Sequence, residues 1–396
     1  MNRKTILAID VGTGMVKVFA GRPQADGRVE IIGSGTAPTG GYTRGVITDC
    51  NALAHSIRQA VDCVVMASDS KNTDCMYLGI SGSTLSAQNS IGSIASPLSG
   101  TITQLDIDRA CQAAVFAVAN NENDVLHVFP VRESAVHPGE ALEVEAHIVS
   151  APKAVMQDLT NALAGNRVNI QGIVASNIVA AEAIKKELPN RPNNFVFMDI
   201  GAGTADFVIY ANGNLCFSAS LPLGGDYITN DLMQGLSVNW AHAEEIKRYY
   251  SRLSPDLRNQ GVILDCNDYG TTDKNIPFDF LYDIIESRVE EIVSLLHEYL
   301  IPLLDKHLPE SQGAECIYLT GGSGIMPSMV ACVARVFQIH TETVSPTKLA
   351  AEYAYPANTV CYGLINHGAR VSAHTPVSER SPWNLFIHKA KRLLKI

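Results

Sequence analysis

Two short segments of the chain carry the same chemical groups in the same order. TILAIDVGTG at 5–14 and FVFMDIGAGT at 195–204 each place an Asp near the end of an apolar strand, ahead of a Gly-x-Gly turn. A phosphate is held best by backbone N–H groups in a tight turn, where glycine permits close approach, and a nearby carboxylate can hold Mg²⁺ through its waters. On this reading Gly12, Thr13 and Gly14 grip phosphate from one side, with Lys17 as a candidate cation for it. Gly201, Gly203 and Thr204 grip from the other side, and Asp10, Asp199 and Asp206 order the metal and its waters. The plainer alternative is that Asp-Gly sequences make turns and Asp often ends strands.

Two further pieces offer nucleoside contacts. In AEEIK at 243–247, Glu244 and Lys247 lie three apart on one helix face, an acceptor and a donor for a ribose or base, or simply a solvated ion pair. In CIYLTGGSG at 316–324 a buried strand runs into Gly321, Gly322 and Gly324, read as opening a helix, where a flat base can lie against bare backbone. Other nucleotide motifs are excluded. Gly-x-x-x-x-Gly-Lys-Ser/Thr is absent, and Lys17 and Asp206 stand where a dinucleotide fingerprint needs a third small residue opening a helix.

The elements that must position these groups read as an α/β chain of two related halves, since each Gly-x-Gly is followed by strand-like residues, 17–20 and 206–210. Between them, 83 to about 150 hold a strand-like stretch, a helix over 105–119 and strands over 125–131 and 142–150, a small inserted α+β unit. Helices are predicted over 153–165, 172–187, 226–234, 241–250 and 280–300, the last mainly a core element, with a polar linker over 370–381. With 396 residues, 46% of them apolar, the chain predicts two or three domains of about 150 residues. Its 30 Lys plus Arg against 40 Asp plus Glu disfavour general nucleic-acid binding. The nine scattered cysteines form no Cys-x-x-Cys and read as small buried hydrophobes in a reducing cytoplasm; the eleven His show no metal spacing, and Trp240 reads as packing. Four apolar residues before Asp10 are too few for a signal peptide, and no apolar run approaches the roughly 20 residues of a membrane span.

Residues 381–396, SPWNLFIHKAKRLLKI, hold four Lys or Arg and no acid. Ser381 suits an N-cap and Pro382 the first helical position. At 100° per residue Trp383, Phe386, Ile387, Ala390, Leu393 and Leu394 share one arc, flanked by Lys389, while Asn384, His388, Lys391, Arg392 and Lys395 face away. About 15 residues make a helix of roughly 22 Å, suited to lie in the interface of an anionic membrane; docking on the protein's own body is the alternative.

The order of the four nucleotide pieces resembles the actin/Hsp70/sugar-kinase ATPase superfamily, and within it the FtsA family of bacterial cell-division proteins. IDVGTG, GGYTRGVITD at 40–49, MYLGISGS at 76–83, LHVFP at 126–130, LPLGGDYITNDL at 221–232 (with Gly224 and Gly225), AEEIK and LTGGSGIMPSM at 319–329 carry the likeness. The resemblance implies an actin-like fold of duplicated ribonuclease H-like halves. Subdomain 1A would take 1–82, 151–193 and 351–370, the inserted 1C 83–150, 2A 194–225 and 301–350, and 2B 226–300, with a linker over 371–380 and the amphipathic helix over 381–396. It also implies ATP and Mg²⁺ in the cleft, self-assembly into protofilaments, other division proteins as partners, and tethering of FtsZ to the inner membrane face at the septum. Arg288 and Glu291 are the positions carried over for the FtsZ tail. Three departures stand out: a short loop at 137–140, Ala202 and Ala205 in the second phosphate motif, and Ser176 about where related hydrolases place an acid or amide that orients water. Slow hydrolysis is expected. A small-molecule kinase, an Hsp70-like chaperone or a PilM-type pilus adaptor are the competing readings; the first needs a general base the sequence does not identify, the second lacks a substrate domain, and the third leaves the basic tail unexplained.

Overall fold

The strand ILAIDV is apolar except for its Asp and is buried along its whole length, the pattern of a central strand covered on both faces. A computed structural model describes residues 4–67, 75–95, 101–134, 141–163, 170–190, 192–253, 255–265, 275–308 and 313–373. In chain order the first half runs β1 (Ile6–Val11), β2 (Met15–Pro23), β3 (Val29–Pro38), the short ribbon β4 (Tyr42–Thr43) and β5 (Val46–Ile47), α1 (Cys50–Ala67) and β6 (Cys75–Ile80). The inserted unit follows as β7 (Ser86–Ala95), α2 (Gln104–Val118), β8 (Asn123–Glu133) and β9 (Ala141–Pro152). The chain then returns through α3 (Lys153–Leu163), β10 (Ile170–Ala175) and α4 (Ser176–Ile184). The second half comprises β11 (Phe195–Ile200), β12 (Ala205–Ala211), β13 (Asn214–Leu221), α5 (Asp226–Leu236), α6 (Trp240–Tyr250), β14 (Ile263–Asp265), β15 (Asn275–Pro277), α7 (Phe278–His307), β16 (Cys316–Thr320), α8 (Pro327–Phe337) and β17 (Thr341–Thr343). Helix α9 (Thr359–Ala373) closes the described chain.

The two halves share one topology. Their sheets run β3-β2-β1-β6-β10 and β13-β12-β11-β16-β17: an antiparallel meander of three strands, then two strands parallel to its last member. Between the sheets lies a layer made by α4 and α9. Eight of the nine residues of α4 are buried, as expected of a helix apolar all round and covered on every side. One core cluster there unites Ile6 and Ala8 of β1, Ile178 and Val179 of α4, Phe195 and Phe197 of β11 and Leu364 of α9. Each of these side chains larger than alanine contributes about 1.5–3 kcal/mol by leaving water, so this layer is the base on which both halves sit. The inserted sheet, β7-β9-β8, has a small core with α2 and reaches the second half through His147, whose ring bonds Asn89 Oδ1 at 2.7 Å and Ser218 Oγ at 2.8 Å.

Five expectations are corrected. Residues 172–175 are strand, because β10 pairs in parallel with β6, and the helix starts only at Ser176. Gly321 to Gly324 form a turn and α8 begins later, at Pro327. Helix α9 extends through Ala373, into the segment read as linker. Trp240 is 44% exposed at the start of α6 and is no core residue. Cys63 is exposed and Cys50 half-buried, whereas the other described cysteines are buried. The loop at 137–140 and the basic helix predicted over 381–396 lie outside the described residues. Among the described residues no helix is long and apolar enough to cross a membrane.

Candidate functional site: a cleft between two glycine hairpins

Each hairpin is closed by its own turn bond, Gly12 N donating to Met15 O at 3.2 Å and Gly201 N to Thr204 O at 2.8 Å. The strand registers then fix the chemistry: Asp10 stands opposite Lys17 across β1 and β2, and Asp199 opposite Asp206 across β11 and β12. The tips of the two hairpins meet. A methyl group on Gly203 would fall 2.5 Å from Thr13 Oγ1, and one on Gly14 would fall 3.2 Å from Ala202 Cβ. Behind the second tip, Gly225 N and Asp226 N, at the start of α5, donate to Gly201 O at 3.0 Å and Ala202 O at 2.7 Å, and Gly224 packs so closely that a Cβ would strike Ala202 O.

Three carboxylates gather at this junction. Asp10 and Asp206 are buried, and Asp199 reaches solvent with part of the residue while its carboxylate is enclosed, with Gly321 against Oδ1. Burial raises Asp10, offset by the nearby Lys17 ammonium. Burial, then the Asp206 and Asp10 charges, push Asp199 up to about 7. Asp206 rises to about 6, chiefly by burial. Its Oδ2 accepts from Thr204 Oγ1 at 2.9 Å; Ser220 and Gly82 lie near enough to damp the rise, but Oδ1 completes no hydrogen bond. Lys17 Nζ is anchored on the Ala357 carbonyl from the turn before α9. Like charges crowded out of water, with an oxygen left unpartnered, are a donor set that a hard divalent cation satisfies through oxygen ligands or its own waters. The residues therefore fit Mg²⁺ with a phosphate.

The nucleoside pieces converge from the second half. Gly321 has φ +87°, and a Cβ there would lie 2.2 Å from Asp199 Oδ1, so only glycine passes behind that carboxylate. Ser323 N and Gly324 N donate to Ile200 O at 2.9 and 3.0 Å, tying this turn to β11, whereas Gly322 has open space where a side chain would be. Lys247 is buried and donates to Glu244 Oε1 at 2.5 Å, Thr229 Oγ1 at 2.7 Å and the Gly225 carbonyl at 3.0 Å. Glu244 and Lys247 are thus not a solvated surface pair; they form a polar knot joining α6 to α5 beside Gly225. Ser176 begins α4 with its hydroxyl buried and without a hydrogen-bond partner, against Gly79 of β6.

Residues not singled out in the sequence also shape the junction. Arg44, with φ 51°, donates its N–H to Thr13 Oγ1 at 3.1 Å while its guanidinium lies 4.5 Å from the centroid of the Tyr227 ring, a cation–π contact between the halves. His127 Nε2 accepts from Ala175 N at 3.0 Å, just before Ser176, and its ring lies edge-on to His367. Burial holds His127 down at about 3, so it is neutral and can accept. Both lie in the quoted GGYTRGVITD and LHVFP segments, the one signal that could have pointed to them. Arg288 and Glu291 are found on α7, but together: Arg288 grips Asp231 of α5 through two nitrogens, at 2.5 and 3.1 Å, and Glu291 at 2.5 Å, the last pair more exposed.

Two halves of one topology, with facing glycine hairpins and a carboxylate cluster between them, define the actin-like fold. The solved PilM–PilN type IV pilus biogenesis complex matches at a TM-score of 0.68, with 17% identity over 92% of this chain and 99% of that one. MreB 5 of Spiroplasma citri, bound to AMPPNP, matches at 0.54, with 14% identity over 93% and 97%. Within this class the chain is a homologue of bacterial cell division proteins FtsA. The family model "Cell division protein FtsA" matches residues 196–363. FtsA proteins of Neisseria meningitidis (27% identical, 95% of this chain and 93% of the relative), Buchnera aphidicola subsp. Acyrthosiphon pisum (26%, 93% and 91%) and Escherichia coli K12 (25%, 93% and 91%) align along nearly the full chain.

Proposed function

We propose that the chain binds ATP and Mg²⁺ between its two halves and, as an actin-like polymer, tethers FtsZ filaments to the inner face of the membrane during division. One observation carries the reading: the glycine tips of both halves abut, with three carboxylates behind them and Lys17 on one side. Thr13, Gly14 and Lys17, with Gly203 and Thr204, would hold the phosphates, while Gly12 and Gly201, whose N–H groups close the turns, would shape the two tips. Asp10 and Asp199 would hold Mg²⁺ through water, with Asp206 supporting. Glu244, Lys247, Gly224, Gly225 and the turn Gly321, Gly322 and Gly324 would face the nucleoside. The metal ion, when bound, supplies the positive charge that lets the carboxylates and the phosphates share one small volume.

Hydrolysis is proposed to be slow. Ser176 brings a hydroxyl, not a carboxylate or amide, so general-base help for an attacking water is missing, and the nucleotide acts as a clamp. The FtsZ tail is assigned to the surface around Arg288 and Glu291, and membrane attachment to residues 381–396. A pilus-adaptor reading rests on the fold alone, whereas the sequence likeness over most of the chain is to FtsA proteins. Calorimetry with ATP and Mg²⁺ should give one site per chain. Co-sedimentation should carry FtsZ down with anionic vesicles only when residues 381–396 are present. No heat of binding, or FtsZ recruitment indifferent to the tail, would overturn the reading.

A further inference from the structure

Away from the cleft, at the far edge of the second sheet, three unlike ligand groups converge. β16 and β17 run parallel, Tyr318 opposite Glu342 and Ile317 opposite Thr341, so the preceding pair Cys316 and His340 stand side by side. The Sγ of Cys316, a ring nitrogen of His340 and a carboxylate oxygen of Glu342 all lie within 4.8 Å of one another, with Sγ and Glu342 Oε1 at 3.9 Å. The backbone holds them there, because Ile317 N donates to His340 O at 2.8 Å. Among the described residues no other trio of His, Cys, Asp or Glu comes together this closely.

We propose that Cys316, His340 and Glu342 form a binding site for a zinc-class divalent ion. Sulfur and imidazole donors select against Mg²⁺ and Ca²⁺, which take oxygen, and three mixed ligands leave a fourth tetrahedral position for water. With bonds of about 2.3 Å to sulfur and about 2.1 Å to nitrogen or oxygen, tetrahedral ligand atoms sit roughly 3.4–3.6 Å apart. Closure therefore needs a movement of about an ångström, which the exposed His340 side chain can supply without disturbing the strands. Coordination by sulfur releases the thiol proton to solvent. The ion would clip the three-residue edge strand β17 to β16. The chain leaving β17 is tied in turn by Val344 N to Leu319 O at 2.8 Å, and at Lys348 its carbonyl accepts from Val29 N of β3, so the clip would steady a segment crossing between the halves.

The test is titration of the untagged full chain with Zn²⁺ by calorimetry, and with Co²⁺ by absorption. One ion per chain should bind, and the Co²⁺ form should show a thiolate-to-cobalt charge-transfer band. His340→Ala, at an exposed position that leaves the fold intact, should weaken binding by about tenfold or more, as should Glu342→Gln, since loss of even an outer partner of a metal site has such an effect. Cys316→Ser should abolish the band and Cys63→Ser should leave it unchanged. Zn²⁺ should raise the melting midpoint of the parent and not of His340→Ala. A Co²⁺ complex without a thiolate band, or equal affinity in the parent and His340→Ala, would overturn the assignment.

Discussion

The two hairpins share a backbone and differ in charge. Position 17 and position 206 are equivalent, each directly across its ladder from Asp10 or Asp199, yet one is a lysine and the other an aspartate. In the first half the ammonium of Lys17 damps the rise of Asp10; in the second half Asp206 adds its charge to burial and drives Asp199 to about 7. A duplicated frame thus builds an unequal pair of jaws, one able to meet phosphate with a cation and the other able to collect a metal ion. The difference also says that the junction without ligand stores repulsion, which a bound cation would relieve.

The largest effect should come from separating the jaws. Gly203→Val drives branched carbon into Thr13, and nucleotide affinity should fall by about 10²-fold, the scale of an ångström's misplacement in a positioned site. Gly313→Ala, before β16 and at the end of that strand away from Gly321, adds a Cβ into open space and should bind as the parent does. Equal affinities in a calorimetric comparison of the two variants would mean that the tips do not close on the ligand.

A smaller effect should come from editing the acidic jaw. Asp206→Asn removes one of three crowded charges, so the nucleotide-free protein should melt a few degrees higher. The gain in nucleotide affinity on adding Mg²⁺ should meanwhile drop by about tenfold, the worth of one charged partner. A lower melting midpoint together with undiminished Mg²⁺ dependence would instead give Asp206 a purely structural role.

A last contrast, read in stability and not in affinity, lies in pH. Because the folded-state pKa of Asp199 is raised to about 7 from 3.8, the folded state binds more protons than the unfolded chain between those values. Stability of the nucleotide-free protein should therefore fall as pH rises from about 4 to about 7, and Asp199→Asn should flatten that slope. His147, held at about 3 by burial, acts in the opposite sense: its contribution is complete above about 6.5 and is lost as pH falls toward about 3. Chemical denaturation at several pH values separates the two, since His147→Gln should flatten only the slope with the rising sign.

The hairpins could be read from the chain because their cause is local: an apolar run, a carboxylate and a glycine turn need no distant partner to be recognised. β10 could not. GIVASNIVAAEA carries apolar residues at helical spacing without a breaker, and only parallel pairing with β6 converts its first part to strand. The spacing of Glu244 and Lys247 placed them on one face, but their burial against α5 came from packing. Trp240 shows the converse, a residue type that suggests packing left in solvent by its position at a helix start.

What the residues in order settle here is the local chemistry: two strand-turn-strand units able to hold phosphate, a net acidic body, and the likeness to cell-division proteins. Which groups meet was settled by tertiary packing. Arg44 lies over Tyr227, His127 accepts from Ala175, and Cys316 joins His340 and Glu342 although none of these pairs has a sequence spacing that announces it. The reason is physical. Side chains far apart along the chain are brought together by the α4 and α9 layer and by strand register, and those are fixed by the burial of whole faces, which no short segment encodes.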